Sequence, residues 1–519
     1  MPDKQWSSRH GASRVTPLES VLPTISLFLL ALPWLNPFSP GPTPAVMPWL
    51  VSLASLALLL VPLRLQRAGL SETLAGAWLA AALLSALLGL LQYFGATAAL
   101  APWVNSTSVG EAFGNLRQRN QFATLTNIGL AALLWWAARP VPIKGQFIIP
   151  VVAAAAAVLL ALGNAASSSR TGLVQLVMLV AMAWAWRGGA SGAGHATGRS
   201  ASAPILLAAA LAYGIGAWVL PGLAGLDPQA SGILARLHEG DLKCASRLTL
   251  WGNVLHLITQ RPWLGWGWGE LDYAHFITLY PGERFCEILD NAHNLPLHLA
   301  VELGLPLAVL VCGGGLWLAW RAKPWREADA TRQLAWSVLA VILLHSLLEY
   351  PLWYGPFQIA FGLSLWLLWR RPRLTPEKFE RFRRLATVWS ALAAISLLAI
   401  AAYAAWDYQR VSQIYLVPGM RSVAYRDNTL ERISDSWLFQ DQVRFAELTT
   451  TALTLENAQY LNQLAQAMLH FSPEPRVIEK LIESATLLGH QDEALFYLAR
   501  YQAAFPEAHA RWAKENAVR

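Results

Sequence analysis

The stretch Asp290-Asn291-Ala292-His293-Asn294-Leu295-Pro296-Leu297-His298 closes a long polar insertion and opens a hydrophobic run. It sets a histidine among amides and a carboxylate where a membrane helix would meet water. Ionisable groups at that depth are costly and default to functional candidates.

Outward from this stretch the chain is unusually apolar. Of 519 residues, 55% are hydrophobic and only 14% charged, and 25 are Trp. Soluble domains carry more charge, and Trp favours the membrane–water interface. Apolar runs of roughly 17–25 residues, enough to cross a bilayer core, recur through the first 405 positions. The prediction is an all-α polytopic membrane protein with about eleven transmembrane helices. They fall near 18–35, 46–63, 73–94, 120–138, 147–163, 171–186, 204–221, 294–320, 333–350, 355–370 and 386–405. Four regions follow: N-terminal transmembrane helices over 1–221, a large loop with amphipathic helices over 222–293, C-terminal transmembrane helices over 294–405, and a polar helical domain over 406–519. The first run, 21–35, reads as a retained span interrupted by Pro33, with no cleavable signal peptide before it.

The net charge of +7 would suggest nucleic acid for a soluble protein. Here the basic residues fall in short loops and set orientation, so no nucleic-acid partner is expected. Lys4, Arg9 and Arg14, then Arg64 and Arg67, Arg139 and Lys144, Arg187 and Arg199, Arg321 to Arg332, and Arg370 to Arg384 alternate with loops nearly free of positive charge. That pattern puts the N-terminus inside, and the insertion and the C-terminal region outside.

Three arginines break the pattern. Arg117 and Arg119 lie in Asn115-Leu116-Arg117-Gln118-Arg119-Asn120-Gln121, and Arg170 ends Ser167-Ser168-Ser169-Arg170. They either snorkel to lipid phosphates or bind an anionic ligand, and guanidinium matches phosphate well.

Within the insertion, 246–260 reads as an amphipathic helix with Ser246 as N-cap and Arg261-Pro262 as its stop. Trp263-Leu264-Gly265-Trp266-Gly267-Trp268-Gly269 then suits either an interfacial anchor or a flexible lip over a pocket. In an oxidising compartment Cys244 and Cys286 are candidates for a disulfide tying that helix to the segment before His293; the alternative is two free thiols. His298 is either a second pocket residue or a hydrogen-bonded structural histidine. In His345-Ser346-Leu347-Leu348-Glu349-Tyr350-Pro351-Leu352-Trp353-Tyr354, His345 and Glu349 are four apart and can pair on one helix face. Beyond 406, helices over 445–455, 458–471, 476–488 and 492–505 look like degenerate tetratricopeptide (TPR-like) units or a generic bundle.

There is no Gly-rich phosphate loop with Lys, no His-Glu-x-x-His and no Cys-x-x-Cys, so neither a metal nor a cofactor is expected. Arginines that neutralise a pyrophosphate, a histidine that takes or guides a hydroxyl proton, and an aromatic mouth that admits a lipid suit sugar transfer from a lipid-pyrophosphate carrier. A transporter is the competing class. It binds at mid-membrane, often with internal repeats, whereas these ionisable residues gather at one face.

His293-Asn294, nine residues, then Gly304 is similar to the signature of the O-antigen ligase superfamily. Arg247-Leu248-Thr249-Leu250-Trp251, Pro262-Trp263-Leu264-Gly265-Trp266-Gly267, Asp290 to Asn294 and His345 to Tyr354 together resemble the bacterial protein O-oligosaccharyltransferases of the PglL, pilin-glycosylating type. The resemblance implies a GT-C-like helical enzyme of the bacterial inner membrane, with its active site and C-terminal domain in the periplasm. It implies transfer of an oligosaccharide en bloc from undecaprenyl pyrophosphate to Ser or Thr of a pilin-like periplasmic protein, without a metal. By the same resemblance His293 is the essential histidine, and Arg117, Arg119 and Arg170 lie near the donor pyrophosphate. Asn294, Asp290, Arg247, Glu349, His345 and Tyr354 form the expected supporting polar site. The expected mechanism is a single inverting displacement. Within the superfamily the acceptor is alternatively lipid A core or another lipid-linked glycan.

Overall fold

The structure, a computed structural model, describes residues 17–65, 69–139, 148–187, 196–238, 243–369 and 376–517. Among the described residues every regular element is helical. The orienting basic residues Lys4, Arg9, Arg14, Arg67, Lys144, Arg370, Arg371 and Arg373 lie outside the described residues.

The first seven helices are α1 (Pro17–Leu35), α2 (Val46–Leu65), α3 (Leu70–Tyr93), α4 (Arg119–Ala137), α5 (Ile148–Ala166), α6 (Arg170–Arg187) and α7 (Ala196–Leu223). The insertion forms α8 (Gly232–His238), α9 (Arg247–Gln260) and α10 (Leu271–Ile277). Then come α11 (Leu295–Leu303), α12 (Leu305–Ala322), α13 (Ala330–Ser346), α14 (Gly355–Trp369) and the long α15 (Pro376–Ser412). The C-terminal region holds α16 (Thr429–Ile433), α17 (Gln440–Thr450), α18 (Ala458–Met468), α19 (Pro475–Leu487), α20 (Gln491–Ala504) and α21 (Pro506–Ala517).

Among the described residues, six helical segments are long and apolar enough to cross a bilayer: Val46–Leu63, Leu70–Tyr93, Ile148–Ala166, Ser202–Leu223, Leu305–Arg326 and Leu385–Tyr415. Val21–Leu35 and Gly355–Trp369 are shorter apolar helices. The protein is a multi-pass helical membrane protein. Its centre is α4, which packs against α3, α5, α6 and α13 and is buried along almost its whole length. Ala81, Ala82 and Ala86 of α3 and Ala157 and Ala161 of α5 face that core, so the helix backbones approach closely.

The span expected over 294–320 is broken. It is two helices meeting at Gly304, whose φ of 88° lies in the left-handed region. The break has a partner that hydropathy cannot show. The turn after α9 runs against it, with Trp266 N–H donating to Val301 O at 2.8 Å, Gly267 N–H to Glu302 O at 3.0 Å and Leu305 N–H to Pro262 O at 2.8 Å. These bonds satisfy carbonyls at the end of α11 and the first amide of α12. A Cβ on Gly304 would sit 2.1 Å from Trp263 O, and one on Gly265 would sit 2.3 Å from Glu302 C. The glycine- and tryptophan-rich segment is therefore pinned by backbone bonds at this break, not a flexible lip.

Ser246 caps α9 as expected, accepting from Thr249 N–H at 3.2 Å. The buried face of α9, including Leu250, Val254 and Leu257, shares a core with Phe285, Leu289 and Ala292. α15 continues past the expected end near 405 and carries Asp407 and Arg410 into the C-terminal region. There Arg410 pairs with Asp407 at 3.1 Å and with Asp435 at 3.0 Å. The insertion and the C-terminal helices are not separate: Phe276 of α10 packs with Val477, Leu481 and Tyr501 in one core. Arg500 Nε also donates to Ile277 O at 2.8 Å.

Gly304→Ala should lower thermal stability by about 2–4 kcal/mol, since it adds a clash to a left-handed residue. Unfolding followed by tryptophan fluorescence in detergent measures this, and an unchanged melting temperature would refute the tight crossing.

Candidate functional site

Four segments meet at one carboxylate, that of Glu349. It follows the end of α13 and is only 12% exposed. His293 Nδ1 lies 2.8 Å from Glu349 Oε2. Arg247, the first residue of α9, pairs with Glu349 Oε1. Asn120, in the first turn of α4, donates to the same oxygen at 3.2 Å. Burial by itself would raise the Glu349 carboxyl, but the His293 bond and charge and the Arg247 guanidinium outweigh it and hold it below the usual range. Glu349 is thus ionised at neutral pH. A carboxylate on Nδ1 fixes the tautomer that keeps the proton on Nδ1, which turns the lone pair of Nε2 toward a substrate.

The backbone delivers His293 in an uncommon conformation. Its φ is 49°, and its N–H donates to Asn291 Oδ1 at 2.9 Å. Asn294 next caps α11, accepting from Leu297 N–H at 3.1 Å while its Nδ2 donates to Leu347 O at 3.0 Å. One amide therefore fastens the histidine segment to the Glu349 segment. The other side is held by α9, where Trp251 Nε1 donates to Ala292 O at 3.1 Å. Asn253 clasps the chain upstream, donating to Glu283 O at 3.0 Å and accepting from Phe285 N–H at 2.7 Å. Cys244 and Cys286 form a disulfide with Cα atoms 5.3 Å apart. Asp290 is exposed and within electrostatic reach of His293.

Tyr350 meets His293 edge-on at 5.1 Å and stacks on Tyr354 at 6.0 Å. Tyr354 also bonds the side chain of Gln121 on α4. The pairing of His345 with Glu349 does not form. His345 is fully buried, and its Nδ1 is taken by Thr124 Oγ1 of α4 at 2.9 Å. Gln175 of α6 reaches the same hydroxyl at 2.9 Å, so His345 sits in a core network under the site. His298 takes the structural alternative: it is buried and pairs with Glu302 at 3.3 Å.

The three arginines differ in their surroundings. Arg119 is in an ion pair with Glu111, and Arg117, at φ 60°, donates to Pro37 O. Arg170 is exposed at the first position of α6, directly after Ser169. Ser169 Oγ donates to Asn120 Oδ1 at 2.6 Å and accepts from Gly172 N–H at 3.0 Å. The α6 terminus is therefore linked through Asn120 to Glu349. Two helix N-termini, of α4 and α6, open beside the site, an arrangement that favours anions. Arg236 of α8 adds a further guanidinium, donating to Ser168 O at 3.1 Å. Asn120, Ser169 and Arg236 escaped sequence reasoning. The first two look like ordinary helix-start residues, and only their place beside Arg119 and Arg170 hinted otherwise. No group of three or more His, Cys, Asp or Glu among the described residues is arranged to hold a metal.

Three family models match the chain in succession. A protein glycosylation ligase model covers residues 112–137, an O-antigen ligase model 155–312, and the C-terminal model of a virulence factor membrane-bound polymerase 333–518. Over 318 residues the chain is 25% identical to a general O-oligosaccharyltransferase of Acinetobacter baylyi, covering 58% of this chain and 50% of that protein. Over 122 residues it is 30% identical to a ComP-specific O-oligosaccharyltransferase of the same organism, covering 23% of this chain and 21% of that protein. The chain thus spans half or less of the curated relatives it matches. The resemblance read from the motifs is borne out: the chain is similar to PglL-type protein O-oligosaccharyltransferases of the O-antigen ligase superfamily, a class of glycosyltransferase.

Because the Glu349 carboxyl is depressed in the folded state, its contribution to stability is present above pH 4.5 and is lost as pH falls below that through the folded value. Glu349→Gln should cost about 1–3 kcal/mol at pH 7, where it leaves Arg247 without its charge partner. The gap to wild type should close in acid. Melting curves of both proteins across pH read this directly, and a gap independent of pH would contradict it.

Proposed function

We propose that this protein transfers a glycan from a lipid-pyrophosphate carrier to a hydroxyl of an acceptor protein. The observation that carries the reading is the His293–Glu349 pair, with Arg247 and Asn120 on the same carboxylate. Each of the three matched regions supplies part of it: 112–137 gives Asn120, 155–312 gives Arg247 and His293, and 333–518 gives Glu349.

In this reading the chain crosses the bacterial inner membrane about eleven times. The insertion and the C-terminal, TPR-like helices stand in the periplasm. Apolar helices among the described residues support the crossings, and the distribution of positive charge in the short loops supports the orientation. The disulfide suits an oxidising compartment. The donor is undecaprenyl-pyrophosphate-linked oligosaccharide, and the acceptor a Ser or Thr of a pilin-like protein.

The step is a single displacement. The acceptor hydroxyl attacks the anomeric carbon as the bond to the pyrophosphate oxygen breaks, so that centre inverts. His293 Nε2 accepts the hydroxyl proton, and Glu349 stabilises the imidazolium that forms. Arg170 and Arg117, with Arg236 and the α4 and α6 N-termini, offset charge developing on the leaving group. Arg119, at the start of α4, is already paired with Glu111, which offsets part of its charge. No metal is required by this scheme, because fixed cations take up the leaving-group charge.

His293→Ala should lower the transfer rate by roughly 10²–10⁴-fold while the protein still inserts and binds donor. A cell-free assay with labelled lipid-linked oligosaccharide and three acceptors (pilin-like protein, core lipid and a second lipid-linked glycan) reads transfer, and retention of the labelled donor by the purified membrane-reconstituted variant reads binding. Product on the protein acceptor supports the reading, product only on core lipid or glycan makes the chain a ligase or polymerase, and near-normal transfer by His293→Ala removes the histidine from its role.

A further inference from the structure

Trp268 is 62% exposed, yet it is not loosely held. Glycines at φ 119° and 78° flank it, and the turn that carries it is bonded to the end of α11 through Trp266 and Gly267. Glu302, buried at the end of α11, lies against the backbone of Gly269 and Leu271 and pairs with His298. The His298 ring in turn meets Trp353 edge-on at 5.0 Å and Trp268 at 6.0 Å. Trp268 and Trp353 lie nearly parallel, 13° apart with centroids at 6.1 Å. Two indoles from distant parts of the chain are thus aligned over the buried His298–Glu302 contact.

Membrane anchoring does not account for this. Trp263 and Leu264, at the other end of the same turn, are 76% and 85% exposed and supply apolar surface for lipid. Trp268 instead faces a second indole. That indole belongs to the short Pro351–Trp353 turn, whose neighbouring Tyr350 meets His293 at 5.1 Å. The indole pair and the histidine therefore both contact this turn or the residue before it. Flat aromatic rings beside a glycosyl-transfer site present the surface that the apolar C–H face of a pyranose covers.

Resting on the glycosyl-transfer reading above, we propose that Trp268 and Trp353 form a platform for a pyranose ring of the lipid-linked oligosaccharide, with His298 and Glu302 as positioning residues beneath it. The platform gives the protein affinity for the glycan separately from its hold on the pyrophosphate.

Leucine keeps apolar surface for a bilayer but has no flat ring, so Trp268→Leu and Trp353→Leu separate the two roles. With full-length protein in nanodiscs, each should raise the donor KM roughly tenfold, the scale of one lost stacking contact, with kcat within about twofold. Trp353→Phe should recover most of the loss. Binding of the free oligosaccharide, released from its carrier and followed by saturation-transfer NMR, needs no turnover. Wild type should bind it and the leucine variants should not. Equal binding by wild type and variants, no binding by wild type, or an unchanged donor KM would overturn the platform. Bound oligosaccharide with no transfer to any acceptor would overturn the proposed reaction and leave the platform standing. Melting curves of each variant identify a misfolded protein, in which case Trp268→Phe and Trp353→Phe replace the leucines and should lower affinity less than threefold.

Discussion

The Glu349 carboxylate is the constraint on which the site depends. It takes His293, Arg247 and Asn120 at once, and these come from the segment before α11, from α9 and from α4. A buried carboxylate with fewer partners would cost free energy to leave ionised. Three donors remove that cost and turn the carboxylate into the point that joins the insertion to the helix bundle. In the proposed transfer the same contact sets the histidine tautomer, so the joint of the fold is also the joint of the chemistry.

Around it, strain and rigidity are placed together. His293, Arg117 and Ser168 all have positive φ, and they lie in the three segments that border the site. Such residues persist only where their surroundings over-determine them. Here Asn291, Asn294 and Trp251 hold the histidine segment. The loop before α4 is clamped by buried Gln92, which bonds Gly114 in both directions at 2.7 and 2.8 Å. The disulfide and the crossing at Gly304 brace the insertion further out. Removing a bracing contact should loosen the site before it unfolds the bundle, because α4 and its neighbours form a separate apolar core.

Much of this was legible in the chain, for identifiable reasons. Long apolar runs located the helices, and Ser246 and Pro262 bounded α9, because hydropathy and capping are local. His293 and Glu349 stood out as ionisable groups at membrane edges, and Arg247 through the family resemblance. Their pairing was not legible. Helical spacing suggested His345 with Glu349, but α13 ends at Ser346 and Thr124 claims the His345 ring. The break at Gly304 escaped because its cause is a turn some forty residues upstream. Asn120 and Ser169 escaped because an amide and a hydroxyl at helix starts carry no charge to betray them.

The most direct measurement is a double-mutant cycle on transfer rate between His293 and Glu349. If Glu349 acts through the histidine, the double variant His293→Ala with Glu349→Gln should be no slower than His293→Ala alone, within about twofold. Full additivity of the two losses would show that the carboxylate works independently and would contradict the account.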